Sequence, residues 1–235
     1  MAVSELLTAI VYLFILILIG YGFGCFSTGY VVGKMNGHDI REEGSGNIGT
    51  TNALRTMGTK GGALTFGGDL LKTLIPTLVV RFCICPGIGC GESLTYFLTL
   101  VIGIGVVAGH NFPFYLHFKG GKGIAVSSAV IVASATNSRL GFLMIGIFLL
   151  IFIIVVAITR YVSLGSLIVV WFFPLYTVLR YRGEDMFWLI LAVSLLFTAL
   201  AYFKHAGNLK RLLNGTERKI GEKKKDDESR KEKIN

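Results

Sequence analysis

Charge is scarce in this chain. Only 16% of its 235 residues are Asp, Glu, Lys or Arg, and the mean hydropathy is +0.66. A soluble domain of this length would not be built that way. Metal-ligating sets are scarce too. Three of the four cysteines form Cys83-x-Cys85-x4-Cys90, without the second pair that a zinc site uses. No carboxylate cluster lies near the polar segments beyond Asp39, Glu42 and Glu43, and no Asp-x2-Asp pair lies in an apolar run. No metal and no cofactor are expected. A Walker A loop is excluded, because no Gly-Lys-Ser/Thr follows the Gly44–Gly49 segment at the required spacing. There is no internal repeat and no soluble second domain.

Long apolar runs are plentiful. A helix crossing a hydrocarbon core of about 30 Å needs roughly 20 mostly apolar residues. Leu6–Val32, Gly61–Phe82, Leu94–Pro113, Ile124–Ala135, Leu140–Ile158, Leu164–Leu179 and Met186–Phe203 are such runs. Ile124–Ala135 is short, and Gly61–Phe82 contains Asp69 and Lys72. The pattern predicts an all-α polytopic membrane protein of about seven transmembrane helices. The first run is too long for a signal-peptide core and is read as a retained helix. The division expected is an integral membrane domain over 1–203 and a C-terminal motif with a basic tail over 204–235.

Lys and Arg favour the cytoplasmic side. With seven spans, eighteen of the 23 basic residues fall on one side and four on the other, with Lys72 inside a span. The N-terminus is therefore expected outside and the C-terminus inside. Most of the formal +9 comes from the tail after Phe203, which has eleven basic and six acidic residues. This tail reads as a solvated end with anionic lipid as its alternative partner, and no nucleic-acid partner is expected. Cys83, Cys85 and Cys90 fall on the outer side, where a disulfide and free thiols are equally open readings.

Four polar segments interrupt the apolar pattern, and the span count puts all four at one membrane face. Gly44-Ser-Gly-Asn-Ile-Gly49 is flexible enough for backbone N–H groups to approach an anion. Ser45, Thr50, Thr51 and Asn52 add side-chain donors, and Arg55 lies one helical turn past Asn52. Lys119-Gly-Gly-Lys-Gly123 repeats the logic, with Lys122 held between Gly121 and Gly123. Ser163 and Ser166 are three apart, as are His205 and Asn208. A serine in a membrane helix often bonds back to its own backbone, and Asp69 with Lys72 reads as a structural pair. The functional reading of each segment rests on their convergence.

Together these segments resemble the bacterial acyl-phosphate:glycerol-3-phosphate acyltransferase family of integral membrane enzymes. The family's first motif, roughly Asp-Ile-Arg-x2-Gly-Ser-Gly-Asn-x-Gly-Ala-Thr-Asn-x2-Arg, is similar to Asp39 through Arg55. Its second is similar to Gly109-His-Asn-Phe-Pro113 with His117-Phe-Lys-Gly-Gly-Lys-Gly123. Its third is similar to Thr159-Arg-Tyr-Val-Ser-Leu-Gly-Ser166, and its closing pattern to Lys204 through Glu217. Thr50 stands where the family has Ala, Thr73 where it has Gly, and Ala206 and Gly207 where it has bulkier residues.

The resemblance implies transfer of a fatty acyl group from acyl phosphate to the 1-hydroxyl of glycerol 3-phosphate. The products are lysophosphatidic acid and phosphate, in the first step of bacterial phospholipid synthesis. It implies Ser45, Lys122, His205 and Asn208 as catalytic residues. Gly46, Asn47, Gly49, Thr51, Asn52, Arg55, Gly121, Gly123, Ser163 and Ser166 would bind substrate. It also implies a monomer in the bacterial inner membrane, with its site on the cytoplasmic side, served by the soluble enzyme that makes acyl phosphate. No His-x4-Asp pair exists, since Glu43, Tyr115, Lys122 and Lys210 follow the four histidines at that spacing. Direct transfer without an acyl-enzyme is therefore expected. The rival reading is a transporter for a phosphorylated solute, which would need a site near mid-membrane open to both sides.

Overall fold

The computed structural model describes residues 3–221, so the basic tail beyond Gly221 lies outside the described residues. No strand occurs among the described residues. The helices are α1 (Val3–Cys25), α2 (Thr28–Met35), α3 (Thr50–Val79), α4 (Cys85–Gly87), α5 (Glu92–Asn111) and α6 (Ile124–Ala135). They continue as α7 (Arg139–Thr159), α8 (Val162–Val169), α9 (Phe172–Tyr181), α10 (Phe187–Lys204) and α11 (Ala206–Leu213). A π-helical turn at Val80–Ile84 joins α3 to α4. Taken with the short breaks inside them, six spans are long and apolar enough to cross a membrane, and Ile124–Ala135 is a shorter apolar helix. The expected seven runs are all helical, but one is only 12 residues long. Polar contacts at its two ends place α6 between opposite ends of the bundle. Gly123, just before it, meets Asn111, while Ala133 O and Thr136 Oγ1, at its far end, accept hydrogen bonds from Arg81.

Two expected single helices are broken. The first stops at Cys25 and restarts at Thr28. The carbonyls freed there find distant donors: Tyr115 Oη donates to Cys25 O at 2.9 Å, and Lys72 Nζ to Phe26 O at 2.7 Å. The second breaks between α8 and α9. Pro174 has no N–H to offer the carbonyl of Val170, which instead accepts from Thr198 Oγ1 at 3.1 Å. Such breaks persist in an apolar setting only where the freed groups are satisfied by the protein.

α5 is the core helix, and α1 lies against it although most of α1 is exposed. Gly20 and Gly24 on α1 face Gly105 and Gly109 on α5. A Cβ on Gly24 would sit 2.1 Å from Val106 O, and one on Gly109 2.2 Å from Tyr21 O. The paired small-x3-small spacing lets the two backbones touch. The outward side chains of α1 and α7, including Phe14, Leu18, Leu150 and Ile154, are exposed and apolar, as lipid-facing surfaces are. The four cysteines are free thiols.

Candidate active site

The first polar loop is built around Asn52, the third residue of α3. Its Nδ2 donates to Ile40 O at 3.2 Å and to Glu43 O at 3.0 Å, and its Oδ1 accepts from Ser45 N at 2.8 Å. A Cβ on Gly44, at φ +59°, would meet that Oδ1 at 2.3 Å. Asp39 fixes the other end of the loop. Arg41 donates to it through Nε at 2.9 Å and Nη2 at 2.7 Å, and Lys34 lies 3.2 Å away. The Arg41 guanidinium holds the Asp39 carboxyl well below the usual carboxylate range. Ile40 and Ile48 pack with Ala53 and Leu116 underneath.

This geometry changes what the loop offers an anion. Gly46 N donates to Glu43 O at 2.9 Å and Gly49 N to Asn47 Oδ1 at 3.0 Å. Gly46 and Gly49 therefore shape the loop, with their amides already engaged, and Asn52 pins it. Thr50 and Thr51 open α3, whose dipole favours negative charge at this end. Gly58, at φ +70°, kinks the helix beyond that first segment.

The second loop is pressed against the end of α5. Gly120 N donates to Asn111 O at 3.1 Å and Gly121 N to His110 O at 3.0 Å. A Cβ on Gly121 would lie 2.0 Å from His110 Nε2, and one on Gly123 2.8 Å from Asn111 Oδ1. These glycines are needed for close approach to α5 rather than to leave amides open. Beneath them Lys72 Nζ lies 2.9 Å from both Asp69 Oδ1 and His110 Nδ1, so the Asp69–Lys72 pair is structural and extends to His110.

The remaining polar groups meet at Glu217, which the residue-by-residue reading of the sequence missed. Glu217 is 4% exposed. It accepts from Ser163 Oγ at 2.9 Å, Asn208 Nδ2 at 2.6 Å and Arg211 Nε at 2.8 Å. Because Nδ2 of Asn208 faces Glu217, its Oδ1 faces Lys122 Nζ, at 2.6 Å. Burial lowers the Lys122 ammonium to about 8, against the pull of Glu217. Ser166 Oγ donates to Val162 O at 2.8 Å, the backbone bond expected of a serine in such a helix. His205 Nδ1 lies 2.7 Å from Ala201 O. A carbonyl only accepts, so Nδ1 carries the hydrogen and Nε2 is left as an acceptor. Burial, then Lys122, lowers this imidazole to about 4, so it is neutral near pH 7. The signal for Glu217 was its place in the closing motif, which spacing alone could not tie to Ser163.

One cavity of about 440 Å³ gathers these residues. Ser45, Asn47, Gly49, Thr51, Asn52, Arg55, Lys122, Gly123, Ser163, Ser166, His205 and Asn208 line it, while Gly46 and Gly121 stand behind the lining. Its apolar arm runs between α6, α7, α8 and the start of α9 past Ile131, Ile145, Phe148 and Phe172, and exposed Phe66 and Leu149 leave it open at the side. A polar head whose cations, Lys122, Arg55, Arg211 and Arg218, outnumber its two buried carboxylates, Asp69 and Glu217, suits phosphate, and the arm suits a hydrocarbon chain.

Known proteins share this architecture. The family model described as glycerol-3-phosphate acyltransferase matches residues 14–215. The glycerol-3-phosphate acyltransferase of Clostridioides difficile (strain 630) is 42% identical over 211 residues, covering 89% of this chain and 96% of that protein. Its counterpart from Trichlorobacter lovleyi is 39% identical over 200 residues, covering 85% and 93%. Crystal structures of PlsY (YgiH), an integral membrane glycerol 3-phosphate acyltransferase, match in two forms. The glycerol 3-phosphate form gives a TM-score of 0.73 and the lysophosphatidic acid form 0.71, each at 30% identity over 89% of this chain and 96% of PlsY. With a phosphate-suited head and an apolar arm in one membrane-type helical bundle, matched along nearly its whole length, the chain belongs to the glycerol-3-phosphate acyltransferase family.

Proposed function

We propose that this chain passes a fatty acyl group from acyl phosphate to the 1-hydroxyl of glycerol 3-phosphate at the cytoplasmic face of a bacterial inner membrane, releasing lysophosphatidic acid and phosphate. The observation that carries this reading is a cavity in which a cationic head continues into an apolar arm. The glycerol 3-phosphate and lysophosphatidic acid forms of PlsY support the acceptor and the product.

In the mechanism, the start of α3, Ser45, Asn47, Thr51 and Lys122 hold the acyl phosphate, with Ser163 and Ser166 at the carbonyl end. Both serine hydrogens are engaged by protein acceptors, and an acyl phosphate offers only acceptors, so each hydroxyl donates to it only once Glu217 or Val162 O releases that hydrogen. Arg55 and Asn208 hold glycerol 3-phosphate. His205 Nε2 accepts from the attacking hydroxyl and orients it; at about 4 it is too weak a base to keep the proton. The oxygen–carbon bond forms at the acyl carbonyl, the carbon–oxygen bond to phosphate breaks, and the proton passes to the leaving phosphate. Lys122 stabilises the charge that gathers there. The chain acts as a monomer, with residues 1–203 forming the membrane domain and the C-terminal motif from Lys204 completing the site, and with its N-terminus outside and its C-terminus inside.

Purified protein in lipid, given glycerol 3-phosphate with acyl phosphate, acyl-CoA or acyl carrier protein, tests the donor. Lysophosphatidic acid is expected with acyl phosphate alone; equal turnover with acyl-CoA overturns the donor assignment. Single-cysteine labelling of intact cells tests orientation. Positions near Gly87 and Gly183 should label from outside, and positions near Gly46, Gly121 and Gly215 should not.

A further inference from the structure

Between the two polar loops lies a segment that the reaction does not use. After Pro113 the chain makes a single 3-10 turn at Phe114–Leu116 and then holds His117 and Phe118, neither of them glycine, at φ +53° and +59°. Two consecutive residues in the left-handed region are strained, and such strain persists only where the surroundings impose it. It turns the chain back, with Phe118 N donating to Pro113 O at 3.1 Å. Leu116 turns inward, 3% exposed, under Ile40 and Ile48 of the first loop. Phe118 turns outward at 61% exposure, beside Phe114 at 63%. The chain then returns as Lys119-Gly-Gly-Lys-Gly123, tied by Gly120 N to Asn111 O. Tyr115, between the two phenylalanines, caps the break after α1 through Cys25 O.

The outward rings are continuous with the lipid-facing surface. Phe26, after α1, and Phe203, in the last turn of α10, are also exposed at this end, and Phe203 lies 6.3 Å from Phe112, just before the segment. Exposed Phe82 and Trp188 mark the opposite end. Exposed apolar rings at the two ends of a bundle suit the membrane–water interfaces, where phenylalanine, like tryptophan, buries at the headgroup–acyl boundary. Exposed Lys119, next to Phe118, complements anionic headgroups.

We infer that Phe114 and Phe118 form an interfacial anchor, seated at the headgroup–acyl boundary of the leaflet on the cavity's side, which sets the depth of both polar loops. Leu116 links the anchor to the Ser45–Asn52 loop, and the covalent chain links it to Lys122. The effect on catalysis rests on the proposed function; the seating in lipid does not.

The test places tryptophan at the anchor. Full-length Phe118→Trp, and separately Phe114→Trp, in a Trp171→Phe/Trp188→Phe background, is reconstituted in bilayers containing anionic lipid. The expected result is blue-shifted emission, quenched by lipids brominated near the top of the chain and insensitive to aqueous iodide. Quenching by iodide without quenching by brominated lipid overturns the anchor. Shielding from both also overturns it, because protein then covers the surface. For catalysis, Phe114→Ser/Phe118→Ser should raise KM for bilayer-borne long-chain acyl phosphate about five- to tenfold. Its kcat, and its KM for a water-soluble short-chain acyl phosphate, should be unchanged. Equal losses with both donors would show a merely structural role. Lipid quenching in a protein inactive with every donor would refute the proposed function and leave the anchor standing.

Discussion

At the end of the bundle away from the cavity, Arg180 meets Glu92 at 2.6 Å, Asn137 donates to the same carboxylate at 3.0 Å, and Arg81 caps the end of α6. Tyr96 and Tyr181 stack at 4.7 Å beside them. At the cavity end Lys122, Arg55 and Arg211 line an open space. Both ends hold charged groups among apolar helices, and both connect distant segments. They differ in what the polar groups face. The far end closes on itself, whereas at the near end Asp69–Lys72–His110, Asn52 and Glu217 brace the walls of an open cavity into which Lys122, Arg55 and Arg211 also face. Site-directed variants should therefore separate these cations, the brace and the far end by size and by kind of effect.

The cavity's cations should give the largest loss. Lys122→Ala removes a charged contact worth about 2–4 kcal/mol in the transition state, or roughly 30- to 1000-fold in kcat, in a protein that still folds. Lys122→Arg should recover only part of this, because a planar fork does not replace a compact ammonium. Steady-state kinetics at equal expression is the check, and near-normal turnover in Lys122→Ala would reduce this loop to a topological turn. Glu217→Gln comes next. Glutamine can still accept from Ser163 and Asn208 but offers N–H rather than charge to Arg211. The expected loss is about tenfold, from a charge-assisted hydrogen bond of about 1.5–3 kcal/mol partly retained.

The same comparison has a pH form. With Lys122 lowered to about 8, its charge is lost as pH rises through that value, well below the usual lysine range. kcat/KM should therefore fall on the alkaline side near pH 8. Removing the Glu217 charge should move that limb to lower pH, because the carboxylate is what favours the ammonium. Arg211, Lys204 and Arg218 act in the opposite sense. In Lys122→Arg the limb should disappear, since guanidinium stays charged. A limb that survives in Lys122→Arg belongs to another group.

Asn52→Ala probes the brace. It removes the side chain that holds Ile40, Glu43 and Ser45 together and leaves buried backbone groups without partners, at a cost of about 1–3 kcal/mol. The effect should appear as raised KM for phosphate-bearing substrate and lower thermal stability together, rather than as lost kcat alone. That Asn52 braces the loop as well as lining the cavity was not legible from spacing, because its partners lie 7 to 12 residues away. The helical runs were legible, since lipid demands length and apolarity from each one. Their breaks were not, because Tyr115, Lys72 and Thr198 satisfy them from afar. The polar loops could be located for the same reason: donors in an apolar chain have few other uses. Which of their atoms were already bonded depended on long-range partners, Glu217 above all.

The far end should give the smallest effect. Arg180 and Glu92 are partly exposed, with side-chain exposures of 31% and 45%, and partly exposed ion pairs contribute about 0–1 kcal/mol. Arg180→Ala should lower thermal stability slightly and leave kcat and KM within about twofold, since Arg180 does not line the cavity. The Arg180→Ala/Glu92→Ala double variant should be no worse than the two single changes added, and better if the lone carboxylate is what destabilises Arg180→Ala. The informative result would be a large change in activity. The far end reaches the cavity along α3, α5, α6, α7 and α9, so such a change would mean that these helices move as a unit during turnover. The contrast between a closed end and a working end would then have to be replaced by one in which both ends act.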